Sequence, residues 1–130
     1  MLRGSGSIAL VAIALLAAAV VVASVRVSAR HDQDEAAFLA ENNAAMSKMM
    51  AAMTVKPSGN VDADFVASMV PHHQGAIEMA RAQLRYGHNE QLRRIAQEII
   101  IDQTQEIAAM RQALGQPLPD PAALESELPR

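Results

Sequence analysis

From Ile8 to Val25 the chain reads IALVAIALLAAAVVVASV, eighteen residues without a charge. At about 1.5 Å of rise per residue, such a helix is roughly 27 Å long, close to the ~30 Å hydrocarbon core of a bilayer. Arg3 supplies the positive residue that precedes a secretory hydrophobic run, and Val27-Ser28-Ala29 is a passable small-residue cleavage site. Two readings follow for residues 1–30: a cleaved signal peptide, or an uncleaved N-terminal membrane anchor. Seven of the eighteen residues are Ala, which is only weakly membrane-seeking, and this favours the first without excluding the second. Either way the rest of the chain is expected outside the cytoplasm, as a periplasmic, cell-surface or secreted protein.

About a hundred residues remain to fold, enough for a modest core. That core must be aliphatic, because the aromatics are Phe38, Phe65 and Tyr86 alone. Few Gly and Pro and abundant Ala speak against a sandwich or barrel. The chain has no Cys, which excludes disulfide frameworks, thiolate metal sites, iron–sulfur clusters and Cys nucleophiles. With Arg3, Arg26 and Arg30 set aside, residues 31–130 hold eight basic against fourteen acidic side chains, a net −6. Nucleic acid would demand the opposite sign and is not a partner.

Period and punctuation predict three helices: about Asp34 to Met53, Asp62 to Tyr86 with Asp62 as N-cap, and Asn89 to Leu114. Breakers separate them, Lys56-Pro57-Ser58-Gly59-Asn60 in one place and Gly87 in the other. The expectation is an all-α, small up-down helical bundle over residues 31–115, followed by a Pro-rich, mostly irregular tail over 116–130. At ~100° per residue the apolar stripes centre on Met49, Met69 and Ile99. Pro71, inside the second helix, removes a hydrogen bond and is expected to kink it.

These stripes hold residues that a plain bundle would fill with Leu. Seven Met lie between Met46 and Met110, four of them as M-x-x-M-M-x-x-M: Met46, Met49, Met50 and Met53. Met69, Met79 and Met110 complete the set. A Met stripe is ordinarily adaptable core filling. In an exported chain without Cys, a soft thioether cluster also suits Cu(I) and, by the same softness, Ag(I). His72 and His73 flank the second stripe and must each find a partner if buried, so at least one of them is a candidate ligand. Gln103 and Glu106 fall on the third stripe. Glu106 either accepts a hydrogen bond from a ligating His, holding it from behind, or pairs with Arg81 or Arg85. No Glu-x-x-His pair for a di-iron site, H-E-x-x-H, nucleophile elbow or phosphate loop occurs, so no catalytic constellation is legible.

The stretch DADFVASMVPHHQGAIEMA at 62–80, with LRRIAQEII at 92–100 and QTQEIAAM at 103–110, resembles the CopM-like domain-of-unknown-function family of bacterial exported proteins, placed in the ferritin-like superfamily. The resemblance covers about residues 36–114, and the upstream Met run is also typical. It implies a helical bundle, with copper or silver binding and copper tolerance described for some members. The matching positions are Met46, Met49, Met50, Met53, Met69, His72, His73, Met79, Gln103, Glu106 and Met110. The chain departs from the pattern at Ala113, where an aromatic is frequent, and in supplying three exported helices. A fourth would come from the tail, the leader or a second subunit, as in a homodimer.

The sequence reading is therefore a non-enzymatic exported or tethered protein. It would sequester Cu(I) or Ag(I), or pass it to another copper-handling protein, with membrane contact confined to the N-terminal segment. The rival readings are a helical interaction or chaperone-like module with a Met-rich packing surface, and a metal-dependent oxidase.

Overall fold

The computed structural model describes residues 5–118; the side chains described begin at residue 12. The predicted tail therefore lies largely outside the described residues. All secondary structure there is helical: α1, Ser5–Ala52; α2, Val61–Tyr86; and α3, Glu90–Ala113. The chain divides into two compact units, Met1–Glu35 and Ala36–Arg130.

In the first unit the apolar run is helical and is continuous in α1 with the predicted first helix, so the expected break near Asp34 is absent. The reason is local: between Val25 and Asp34 stand no Gly or Pro, and Ser, Arg, His, Asp and Gln interrupt a helix little. Its described side chains from Ala12 to Arg30 are all exposed. By length and composition this is a helix able to cross a membrane, near the N-terminus. A signal sequence has the same character.

The second unit is an all-α helical bundle made of the end of α1 with α2 and α3. Asn60, rather than Asp62, caps α2: its side-chain oxygen accepts hydrogen bonds from the backbone N–H groups of Asp62 and Ala63 at 3.0 and 3.1 Å. Asp62 and Asp64 instead sit in the first turn, where negative charge meets the positive helix end. Asp64 also accepts from the Ser58 backbone N–H at 3.1 Å, tying the preceding loop down. Asn89 caps α3 in the same way, through Gln91 and Leu92. Between the helices, the Arg93 guanidinium donates to the carbonyls of Leu84 and Gly87, so the last turn of α2 is closed by the first turn of α3. Helix α2 runs through Pro71 without interruption.

The packing faces differ from the predicted stripes. The core is Ile77, Ala80, Ala96, Ile100 and Ile107, with Val70, Leu84 and Met110 packed on it. On α3 the buried face centres on Ile100, one residue on from the expected Ile99, which is a rotation of about 100°. Ile99, Leu92 and Ile95 are exposed. On α2 the buried face holds Val66, His73, Ile77 and Ala80, whereas Phe65 is 54% exposed. Both sequences offer more apolar residues than a single contact can cover, so which of two adjacent stripes is buried depends on the facing helix.

Candidate functional site

His73 of α2 meets Glu106 and Gln103 of α3 in one cluster. His73, only 8% exposed, is bonded at both ring nitrogens. Nδ1 lies 2.8 Å from the Met69 carbonyl oxygen, and Nε2 lies 2.7 Å from Oε2 of Glu106. A carbonyl can only accept, so Nδ1 carries a proton and donates. Nε2 and the Glu106 carboxyl oxygen make the second hydrogen bond of the ring. Gln103 Nε2 donates to the same Glu106 oxygen at 3.1 Å. Glu106 thus bonds to His73, and Arg85 pairs with Glu41. No buried side-chain nitrogen or oxygen among the described residues lacks a partner.

His72 is different. It is exposed, and its ring stands edge-on to that of His73, with centroids 5.8 Å apart. Adjacent helical residues project about 100° apart, so only one of the two can reach α3. The chain buries His73 and leaves His72 on the outer surface.

The methionines also divide. Met110 packs on the α2–α3 core, and Met69 is half-buried, its carbonyl accepting the hydrogen bond from His73. On α1, Met49 and Met53 are half-buried while Met46 and Met50 are 45% and 61% exposed. Met49 seats on Gly75 of α2 so closely that a Cβ there would lie 2.7 Å from its sulfur and 2.9 Å from its own Cβ. Sequence reading missed Gly75. Its signal was a glycine inside an otherwise helical pattern, where it is unfavourable unless another backbone or side chain needs the space.

Three contacts set the register of α1 against α2: Glu41 with Arg85, Lys48 with Glu78, and Met49 with Gly75. They run in opposite directions, so each step forward on α1 is met by a step back on α2. In this register Met46 stands level with Met79, and Met53 level with His72. Both trios, Met46-Met49-Met53 and His72-Gly75-Met79, have the three-and-four spacing that puts residues on one face of a helix. Across the α1–α2 seam Met49 meets Gly75; helical spacing puts Met46 and Met53 on the Met49 face of α1, and His72 and Met79 on the Gly75 face of α2. The other seam, α2–α3, holds Met69, His73, Gln103, Glu106 and Met110. Met50 falls outside both. The first set is soft and mostly without competing hydrogen bonds, whereas His73 in the second would have to give up Glu106 or Met69 to bind an ion. Among the described residues no group of three or more His, Asp or Glu is placed to hold a metal, so hard-ligand sites have no candidate there.

Beside the soft seam lies a charged one. Glu41 accepts hydrogen bonds from Arg85 and from the Tyr86 hydroxyl, the latter at 2.8 Å. These donors hold its carboxyl below the usual range, Arg85 first and Tyr86 second. The carboxylate in turn raises the Tyr86 phenol above its ordinary value by accepting a hydrogen bond from its hydroxyl.

The fold defines an all-α helical-bundle protein. The chain belongs to the DUF305 family, a domain of unknown function, whose family model matches residues 14–114. No curated protein and no solved structure matches the chain.

Proposed function

We propose that this protein is a CopM-like, ferritin-like exported copper-handling protein that binds Cu(I), and equally Ag(I), through thioether and imidazole ligands without catalysis. Its cargo would be sequestered, or passed to another copper-handling protein, from outside the cytoplasm, with the N-terminal helix serving as export signal or tether. The observation that supports this most is the exposure of Met46 beside the half-buried Met49 and Met53 on one face of α1. A Met stripe that served packing would be buried throughout. The register that brings His72 and Met79 level with two of these Met residues adds an imidazole and a fourth thioether.

The test is native mass spectrometry of the full-length protein with Cu(I) under anaerobic reductant, on the parent and on two single variants. The parent retains stoichiometric Cu(I). His72→Gln weakens binding more than tenfold, about 1.4 kcal/mol, and leaves the melting temperature almost unchanged. His73→Gln loses hydrogen bonds to a carbonyl and a carboxyl group, and lowers the stability of the metal-free protein by about 1–2 kcal/mol. A parent that retains no Cu(I) removes the proposal.

A second reading has its own observation. Phe65, Leu92 and Ile95 are large, apolar and exposed on the hairpin, as a helical interaction module or a homodimer would require. That reading gains if no metal is retained and the protein self-associates.

A further inference from the structure

Helix α1 is weakly joined to the rest of its unit. The buried cluster and the side chains packed on it belong to α2 and α3. From Ala36 to Ala52, α1 buries a single apolar side chain, Ala45. Its other links include the contact of Met49 with Gly75, the Glu41 bonds to Arg85 and Tyr86, and the Lys48–Glu78 pair. The Lys48 side chain is 73% exposed and that of Arg85 50%, and ion pairs this open to solvent contribute little. The soft side chains of the seam are split across this weak joint, with Met46, Met49 and Met53 on α1 and His72 and Met79 on α2.

We infer that metal binding and docking of the Ala36–Ala52 segment onto α2 are one coupled equilibrium. The inference rests on the metal-binding reading above. An ion that needs ligands from both helices binds the docked state and has far less affinity for the undocked one. It therefore stabilises docking by mass action, and docking raises its affinity by the same factor. In this arrangement α1 is a metal-dependent clasp. Undocking separates the three methionines of α1 from His72 and Met79 of α2, which lowers affinity and offers a route for handing the ion on. The α2–α3 seam, locked by Ile100, His73 and Glu106, takes no part in the movement.

Hydrogen exchange of the full-length protein, with and without Ag(I) alone, tests this, since Ag(I) does not redox-cycle. At ~100 times its dissociation constant, Ag(I) slows exchange across residues 36–53 by up to about 100-fold, and slows residues 92–113 much less. Native mass spectrometry of the same samples counts the bound ions. Ag(I) retained with no slowing over residues 36–53 overturns the coupling and leaves the metal-binding reading standing. No Ag(I) retained overturns both.

A charge swap gives an independent arm. Lys48→Glu faces Glu78 with a like charge and weakens docking without touching a thioether or imidazole. Simple attraction of a cation to the added carboxylate predicts tighter Ag(I) binding. Coupling predicts binding at least about threefold weaker, restored when Glu78→Lys is added. Equal or tighter binding by Lys48→Glu overturns the inference.

Discussion

Glu41 shows how a single residue carries information in two directions. Its carboxyl is held below the usual range by Arg85 and Tyr86. A depressed carboxyl contributes stability that is present above the ordinary carboxyl range and is lost as pH falls through its folded value. The Tyr86 phenol is shifted upward, so its contribution is present below about pH 10 and is lost as pH rises through its folded value. Tyr86 is the only tyrosine and the chain has no Trp, so tyrosinate absorbance reports this one side chain. Glu41→Gln returns its titration midpoint downward, to about pH 10. A midpoint that stays where it is in the parent would show that Glu41 does not accept the phenol hydrogen bond in solution. The same scale explains the two histidines. Sequence placed both on the edge of one stripe, but only α3 decides which of them is buried, because Glu106 can reach one and not the other.

At the scale of elements, the hairpin of α2 and α3 is the stable part of the second unit. Ile100 is completely buried within it. Ile100→Ala leaves a cavity bounded by both helices and is expected to cost about 2–5 kcal/mol in denaturant unfolding, with the loss confined to stability. A cost below about 1 kcal/mol would mean that the site collapses easily and that the core is elsewhere. Helix boundaries were legible to within a residue or so wherever an Asn, Gly or Pro punctuates the chain. Capping follows from side-chain chemistry within three or four residues, and needs no tertiary context. The N-cap of α2 went to Asn60 rather than Asp62 because the helix starts two residues earlier. From there the Asn60 oxygen reaches two free N–H groups, while Asp62 already belongs to the first turn.

At the scale of the whole molecule, two units follow one another along the chain: an apolar N-terminal one to Glu35 and a three-helix one from Ala36. If the first directs export, a reporter fused after Arg130 that works only outside the cytoplasm is active, and one that works only inside is silent. Activity of the cytoplasmic reporter alone defeats the proposed localisation. The family match spans both units, over residues 14–114.

Composition and period by themselves determined that the chain is helical, where its helices stop, and that its N-terminal segment is apolar enough for a membrane. Each of these depends on interactions within about four residues, or on the average character of a segment. They also marked the unusual side chains, because Met, His and Glu on an apolar stripe are anomalous whatever they touch. Tertiary structure decided how those side chains are shared out. Each of α2 and α3 has an apolar surface wider than one neighbour can cover, so burial of Ile100 rather than Ile99 is settled by the facing helix. The split of the methionines depends on the register of α1 against α2, set by Gly75, Glu78 and Arg85, residues about 26 to 44 positions away from their partners. No periodicity along a single helix encodes a register between two.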